Sequence, residues 1–284
     1  MKTLVGCDLS YRTTGPAILI LNVQPARTHG QTILRETLTI TPEDTRREEW
    51  EDAVTRNRYL RLHPAGGVAL RIVHEAEVDL SRDTADPAGI RDVPVPELPP
   101  AVLAHLWPSR YCESDRLERL ARREFGATPT VSETVGHARV TAICNWVNER
   151  IAYLAGASQP TTTATETLLA GAGVCRDFAH LSIALCRALG IPARFVSAHA
   201  PGLVPPDFHA VFEAWLGDRW WLFDATRQAP LDALIRIGQG RDAAEAAFAE
   251  LHGPIAPGAM RVHATVTDGP DPATAPRTTE AVAA

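Results

Sequence analysis

Residues 171–190 read GAGVCRDFAHLSIALCRALG, and this stretch decides the fold. Two glycines form a turn, a regular apolar run then predicts a helix, and Gly190 with Pro192 just beyond it marks the helix end. Cys175 therefore stands between the turn and the first helical turn. The positive end of the helix dipole favours the thiolate form of a cysteine there, which is the nucleophilic form. The alternative is that Cys175 is a small buried apolar residue, as most unpaired cysteines are.

A predicted hairpin further along the chain supplies two more polar groups. HAVFEAWL (209–216) and RWWLFDA (219–225) read as strands, and the Gly-Asp pair between them is typical of a two-residue turn. Such a turn places His209 and Asp224 on one face of the sheet as a diagonal pair, about 7–8 Å apart at the backbone. A histidine ring and a carboxylate can close that gap. Taken alone, His209 would be a strand histidine satisfied by backbone groups, and Asp224 a carboxylate that begins the next turn.

These three residues are the set that nucleophilic acyl transfer needs. A thiolate attacks, an imidazole pairs with it and protonates the leaving group, and a carboxylate holds the imidazole tautomer. The helix N-terminus adds backbone N–H groups that can face a developing oxyanion. Cys175, His209 and Asp224, in that chain order, are therefore predicted to form a catalytic triad.

Composition argues against several other classes of function. The formal net charge is −6 and no basic patch stands out, so we expect no nucleic-acid partner. No apolar run approaches the roughly 18 residues of a membrane span, and no signal peptide is recognisable, so we expect no membrane association. The five cysteines are odd in number and never spaced as CxxC, which favours reduced thiols in the cytoplasm over disulfides or structural zinc. We expect no metal and no cofactor, and the expected partner is a peptide or amide substrate.

The chain divides into a strand-rich first third and a mixed remainder. Residues 1–95 read as a small antiparallel β-domain, because β-branched segments are bounded by Pro, Gly or Asp. Residues 96–112 read as a linker, which the proline-rich VPVPELPP (93–100) would make stiff and extended. Residues 113–267 combine helical and strand patterns and form the predicted catalytic domain. Residues 268–284 are polar and proline-rich, and we expect a disordered tail.

Three segments resemble the transglutaminase-like superfamily, in its bacterial branch of papain-like cysteine enzymes: GVCRDFAHLSIALCRALGIPARFVS (173–197), DFHAVFEAWL (207–216) and WLFDATRQAP (221–230). They match that family in order and spacing. The resemblance implies an α+β fold, in which an N-terminal antiparallel β-domain precedes a papain-like or transglutaminase-like core with the cysteine helix packed on an antiparallel sheet. It also implies that Cys175 is the nucleophile, His209 the base and Asp224 the residue that orients the imidazole.

The sequence departs from the animal transglutaminases near the nucleophile. Those enzymes carry a Trp shortly before the cysteine that helps to hold the oxyanion, and another directly after it. Here residues 158–169 contain no Trp, and Arg176 follows Cys175. The expected oxyanion donors are the Cys175 N–H and a hydroxyl of Thr162 or Thr163. Hydrolysis of an amide or peptide bond is therefore favoured, and the alternatives are transfer to an amine and a non-catalytic binding module on the same fold.

Aromatic residues of the hairpin are candidates for a substrate groove. Phe208 stands directly before His209, and Trp220 lies in the second strand, where tryptophans alternate across the hairpin. We expect these two aromatic side chains to line the groove.

Overall fold

The structure is a computed structural model that describes residues 1–126, 136–272, 274 and 280–284. The first strands are β1 (Lys2–Thr13), β2 (Ile18–Leu21), β3 (Gln31–Thr41), β4 (Arg46–Glu51), β5 (Arg58–His63), β6 (Ala69–Leu80) and β7 (Thr84–Ala85). The later elements are α1 (Ser114–Phe125), α2 (His137–Arg150), β8 (Ala152–Tyr153), α3 (Ala164–Ala170), β9 (Ala172–Gly173), α4 (Cys175–Ala188), β10 (Ala193–His199), β11 (Phe208–Leu216), β12 (Arg219–Phe223), β13 (Ile235–Gly240), α5 (Ala243–Ala246), β14 (Ala249–His252), β15 (Ile255–Asp268) and β16 (Ala281–Val282). None of the described helices is long and apolar enough to span a bilayer.

The strands β1 to β6 form an N-terminal antiparallel β-domain, as predicted. It consists of two four-stranded sheets, with the strand orders β15-β1-β6-β3 and β14-β2-β5-β4. In β6 every second residue from Leu70 to Leu80 is buried, because successive side chains of a strand point to opposite faces. The buried faces of the two sheets share one apolar cluster, which includes Leu9, Leu19 and Leu60.

The C-terminal strands β14 and β15 complete both sheets of this domain. β15 pairs with β1 from Lys2 opposite Asp268 to Thr13 opposite Ile255, and β14 pairs with β2. The last two strands of the predicted catalytic domain, residues 113–267, therefore belong to the sheets of the N-terminal domain. Most side chains of β15 are exposed, so this edge strand has no regular apolar alternation. Its pairing partner lies at the other end of the chain, and such a pairing leaves no pattern in the local sequence.

The core of the molecule places α4 against a second antiparallel sheet. This sheet has the strand order β12-β11-β10-β13. Phe178 and Leu181 of α4 share a buried cluster with Ala210 and Phe212 of β11. The helices α1, α2 and α3 also contact α4, which explains why this helix is buried on nearly all sides. The predicted α+β fold, with a cysteine-bearing helix on an antiparallel sheet, is confirmed.

The ends of α4 match the sequence signals. The helix begins at Cys175 and its last residue is Ala188. Gly190 follows with a φ of +79°, a left-handed conformation that glycine adopts at helix ends without steric cost. The turn and the nucleophile candidate therefore lie at one end of a rigid, buried helix.

The proline-rich linker packs onto the core instead of staying extended. Val95–Glu97 and Pro100–Leu106 form 3-10 helices, and Leu98 and Val102 are buried. Each of these short helices has a proline in its first positions, where the missing N–H costs no hydrogen bond. Proline here therefore starts helical turns, and the prediction of an extended linker is wrong.

The chain end also differs from the prediction of a disordered tail over residues 268–284. Ala281 and Val282 are buried and form β16, which pairs with β7, and Ala283 forms a bridge to Trp221. The last four residues are apolar and cover the edge of the core, so the prediction is wrong for them. Residues 273 and 275–279 lie outside the described residues.

Candidate active site

Cys175 is the first residue of α4 and is held there by a carboxylate in the first turn. Asp177 turns back, and its Oδ2 accepts a hydrogen bond of 2.8 Å from the Val174 N–H, as in a capping box. Gly173 leaves room for this contact, since a Cβ at that position would lie 2.7 Å from the Asp177 Cβ. Cys175 itself is half-buried. Its thiol is thus fixed at the positive end of the helix dipole.

The strands β11 and β12 form the predicted hairpin, and its register brings His209 to Asp224. Leu216 pairs with Arg219 across a two-residue turn. His209 Nε2 lies 2.9 Å from Asp224 Oδ2, and both side chains are almost fully buried. An ionised carboxylate only accepts hydrogen bonds, so Nε2 donates this one and Nδ1 points away from Asp224.

The second oxygen of Asp224 is held by Thr226, which the sequence analysis did not single out. Asp224 Oδ1 accepts hydrogen bonds from the Thr226 N–H at 2.8 Å and from its hydroxyl at 2.7 Å. Burial raises the pKa of Asp224, but His209 and then Thr226 outweigh it, and the pKa is lowered overall. The sequence carries a signal for this contact. An Asp side chain often accepts a hydrogen bond from the backbone N–H two residues further along the chain, and Thr226 follows Asp224 by two residues.

The imidazole of His209 is strongly shifted toward its charged form. Burial lowers the pKa of His209, but the charge and hydrogen bond of Asp224, followed by those of Cys175, outweigh burial and raise the pKa to about 10. His209 Nδ1 is buried and has no hydrogen-bond partner of ordinary geometry in the part of the chain that the structure describes. It is therefore free for Cys175.

A cavity of about 740 Å³ opens at Cys175 and His209. Its wall is mostly apolar. Phe208 and Phe248 stack there with their ring centroids 4.9 Å apart. The small side chains beside them, which leave the space open, are Ala243, Ala244, Ala246 and Ala247. The cavity thus combines the Cys175 thiol with room for an apolar group.

Polar groups and the N-terminal domain complete the cavity wall. Arg176, Asp207 and Glu250 contribute the charges, and Met260 adds a flexible apolar side chain. Glu250 lies in β14 and Met260 in β15, the strands that complete the N-terminal sheets. The N-terminal domain therefore forms part of the same cavity. Within the described ranges, no group of three or more His, Cys, Asp or Glu side chains is arranged to hold a metal ion.

The two threonines predicted as oxyanion donors do not line this cavity. The Thr162 hydroxyl accepts a hydrogen bond of 2.9 Å from the Gln159 N–H. Thr163 is the N-cap of α3, and its hydroxyl accepts from the Glu166 N–H. One hydroxyl closes a loop and the other starts a helix, so the structure gives both threonines a local structural use away from the cavity.

The two predicted groove residues have different outcomes. Phe208 lines the cavity. Trp220 does not: it lies next to the hairpin turn, at the end of β12 away from Asp224. There its ring contacts Trp215 edge-on and lies 4.0 Å from the Arg194 guanidinium carbon. The prediction for Trp220 is wrong because strand alternation gives the face of a residue but not its distance from the nucleophile.

Arg176 ties the loop before α3 to the start of α4. Its guanidinium donates to the Gln159 carbonyl at 2.6 Å and to Asp177 Oδ1 at 3.2 Å. The first of these contacts joins α4 to Gln159, a residue that also lines the cavity. Arg176 therefore fixes one rim of the cavity relative to Cys175.

Comparison with known proteins assigns the fold to a family. A model of the transglutaminase-like superfamily core matches residues 123–225, and a model of the bacterial transglutaminase N-terminal domain matches residues 1–101. A solved structure from Cytophaga hutchinsonii, described as a candidate cysteine protease, is 39% identical with a TM-score of 0.92, covering 100% of this chain and 97% of that one. The chain belongs to the transglutaminase-like superfamily.

Two mycobacterial proteins are similar to this chain over a shorter stretch. An uncharacterised protein of Mycobacterium leprae is 32% identical over 112 residues, which is 36% of this chain and 40% of that protein. An uncharacterised protein of Mycobacterium tuberculosis is 34% identical over 108 residues, or 33% of this chain and 34% of that protein. The matched part thus spans well under half of these two relatives.

Proposed function

We propose that this protein is a cysteine-dependent acyl-transfer enzyme that hydrolyses an amide or peptide bond. Cys175 is the nucleophile, His209 the acid and base, and Asp224 the residue that orients the imidazole. The observation that carries the proposal is the hydrogen bond of 2.9 Å between His209 Nε2 and Asp224 Oδ2 at the edge of a cavity that Cys175 also lines. The likeness to a candidate cysteine protease supports the same class of reaction.

The first half-reaction forms an acyl-enzyme. Cys175 Sγ attacks the carbonyl carbon, a C–S bond forms, and the C=O π pair moves to the oxygen. When this tetrahedral intermediate collapses, the pair re-forms the carbonyl and the C–N bond breaks. The leaving nitrogen takes the Nδ1 proton of His209. A thioester on Cys175 and a neutral imidazole remain.

The second half-reaction consumes water. His209 Nδ1 takes a proton from a water molecule whose oxygen attacks the thioester carbon, the C–S bond breaks, and the acid leaves with the thiolate and imidazolium restored. The charged side chains Arg176, Asp207 and Glu250 in the wall favour a hydrated cavity. Transfer to an amine would instead need an entry that excludes water, and residues 158–169 supply no aromatic side chain to build one.

The proposal is tested by following Cys175 acylation and its products. The protein is incubated with a peptide library, with and without millimolar alkylamine, and the products are identified by mass spectrometry. We expect mainly free acid under both conditions, a thioester on Cys175 in trapped samples, and no turnover by Cys175→Ala. Mainly amine-incorporated product would establish the transglutaminase alternative. A protein that binds peptides but never forms the thioester would be a binding module.

The cytoplasmic location stays a prediction. All five cysteines are described, and all are free thiols. This state agrees with a reducing compartment. Fractionation of cells that express the full-length protein tests it, and recovery with a periplasmic marker would contradict it.

A further inference from the structure

One short segment, residues 243–249, forms a large part of the wall of the cavity beside Cys175. Five of its seven residues are alanine, and every residue of the segment except Glu245 lines the cavity. We call this segment the alanine wall. Ala244 and Ala247 remain exposed, so their methyl groups face open space. Side chains this small leave the volume in front of the wall free for a ligand.

The beginning of the alanine wall is anchored to the core by two buried polar side chains. The Ala243 N–H donates a hydrogen bond of 3.1 Å to His180 Nε2, and the Ala244 N–H donates one of 2.9 Å to Asp242 Oδ1. The second oxygen of Asp242 accepts a hydrogen bond of 2.9 Å from the Tyr111 N–H. His180 and Asp242 are both buried. Their hydrogen bonds therefore fix the wall relative to α4.

The ring of His180 also supports two aromatic residues of the cavity. It stacks on Tyr111 with 5.0 Å between the ring centroids, and its centroid lies 5.2 Å from that of Phe195. Tyr111 and Phe195 both line the cavity, whereas His180 does not. This buried histidine thus holds the first alanines of the wall and two neighbouring aromatic rings in one arrangement.

The end of the alanine wall is anchored to the N-terminal domain. The Asn22 N–H donates a hydrogen bond of 3.0 Å to the Phe248 carbonyl, and Ala249 pairs with Leu21 where β14 joins β2. The Phe248 ring stacks on Phe208, which also lines the cavity. Both ends of the wall are held by contacts within the protein. The space in front of it is therefore already formed without a ligand, as in most small-molecule sites.

We propose that the alanine wall binds a large apolar group on the acyl side of the substrate, such as the side chain of leucine or phenylalanine. This inference rests on the proposed function of Cys175 and names the class of its substrate. In the acyl-enzyme the acyl carbon is bonded to Cys175 Sγ, so the group on that carbon lies at the cavity that Cys175 lines. The cavity volume of about 740 Å³ is within the range of about 300–1,000 Å³ that is usual for ligand pockets.

The charged side chains of the cavity favour an apolar occupant over a charged one. Arg176 donates to Asp177 Oδ1 at 3.2 Å, and Glu250 Oε1 lies 3.0 Å from His252 Nε2. Asp207 Oδ1 accepts a hydrogen bond of 2.7 Å from the next N–H along the chain. A charged ligand would have to compete with these partners. An apolar group only has to leave water for a surface of methyl groups and rings, which is favourable.

The test compares acylation of Cys175 by p-nitrophenyl acetate and p-nitrophenyl hexanoate, which share a leaving group and differ in the acyl chain. The initial burst of p-nitrophenolate gives each rate, and mass spectrometry confirms that Cys175 carries the acyl group. We expect the wild type to react at least about tenfold faster with the hexanoate, because even one methylene in an apolar pocket is worth about tenfold or more.

Two variants fill the space in front of the alanine wall. Ala247→Leu and Ala244→Leu each extend an exposed side chain that lines the cavity. The ratio of the hexanoate rate to the acetate rate should fall at least about tenfold in one or both, because leucine takes the room of the longer acyl chain. The matched control is Ala53→Leu, at an exposed alanine between β4 and β5 that does not line the cavity. It should keep the wild-type ratio.

Each other outcome identifies what fails. Equal rates with the two esters in the wild type overturn the apolar subsite. A hexanoate preference that persists in both Ala247→Leu and Ala244→Leu also overturns it, because the acyl chain then binds away from the wall. Wild-type protein that neither ester acylates at Cys175 overturns the proposed function, and with it this inference.

Discussion

Two buried clusters in this molecule each contain a histidine hydrogen-bonded to a carboxylate, one in the N-terminal domain and one in the core. In the N-terminal domain, His74 Nε2 lies 2.9 Å from Glu36 Oε1, and in the core His209 Nε2 lies 2.9 Å from Asp224 Oδ2. Both histidine side chains are fully buried. In both, Nδ1 has no hydrogen-bond partner of ordinary geometry among the residues described. Distance and burial do not separate a structural pair from a candidate catalytic one.

The third residue of each cluster separates the structural pair from the candidate catalytic pair. Glu36 also accepts two hydrogen bonds of 2.8 Å from Arg58. Burial raises the pKa of Glu36, but His74 and Arg58 outweigh it and lower the pKa to about 2. In the core the third member is the Cys175 thiol, which lies on a cavity. A histidine–carboxylate pair therefore points to catalysis only when it faces an accessible nucleophile.

The largest expected effect separates the two histidines. His209→Ala should lose Cys175 acylation down to the background rate, because no base or acid is left at the thiol. His74→Ala should keep the wild-type rate per folded molecule but lower the free energy of unfolding by about 1–3 kcal/mol, the cost of leaving a buried polar partner unsatisfied. Acylation assays and urea unfolding measure the two quantities. A folded His74→Ala variant without acylation would contradict the comparison.

The second prediction separates the two carboxylates. Asp224→Asn should keep the fold and lower turnover by about 10⁴-fold, because an amide no longer holds the imidazole in the required tautomer. Glu36→Gln should instead lower the free energy of unfolding by about 3–5 kcal/mol, since Arg58 then stays buried without its counter-charge. Its turnover, measured where the protein is fully folded, should match the wild type. Turnover within about tenfold of wild type in Asp224→Asn would remove Asp224 from the proposed mechanism.

The parts of the site that sequence could predict are those fixed by short-range geometry. A two-residue turn sets the register of the whole hairpin, so His209 and Asp224 could be matched from their spacing alone. The position of Cys175 followed from a glycine turn and an apolar helical run. In each case the relevant neighbours lie within about one element of each other, where covalent geometry limits the alternatives.

The parts that sequence could not predict depend on contacts between distant segments. β15 pairs with β1 at the other end of the chain, and its exposed edge position removes the alternation that marks a half-buried strand. Tyr153 pairs with Gly173, two residues before Cys175, in a two-residue parallel sheet that is too short to leave a pattern. The pairing of β15 and the position of Tyr153 therefore need the tertiary fold. Thr163 is a different case, because Glu166 follows it by three residues and completes the local capping-box pattern, so its use as an N-cap could have been predicted from the sequence.

The third prediction uses pH to separate His209 from a second buried histidine on the neighbouring strand. His209 has its pKa raised to about 10 from an ordinary value of 6.5, so its contribution to stability is complete below pH 6.5 and is lost as pH rises through 10. Burial lowers the pKa of His199 to about 3, so His199 is neutral throughout that range. We expect the difference in unfolding free energy between wild type and His209→Gln to shrink from about pH 7.5 to about pH 10.

The control for this prediction is His199→Gln. Its difference from wild type should stay constant over the same range, because neither state of the protein binds a proton at His199 there. Urea unfolding at each pH provides both differences. A constant difference for His209→Gln would show that Asp224 and Cys175 do not hold His209 in its charged form.

The smallest expected effect concerns Thr163, which offers a hydroxyl close in sequence to the nucleophile and uses it to cap α3. Thr163→Ala should lower the free energy of unfolding by about 1 kcal/mol, the usual cost of losing an N-cap side chain. Acylation of Cys175 should stay within about twofold, because this hydroxyl has no part in holding the oxyanion. Thermal unfolding and p-nitrophenyl acetate kinetics measure the two effects. If the folded Thr163→Ala variant instead loses acylation, the Thr163 hydroxyl is an oxyanion donor as well as the N-cap of α3.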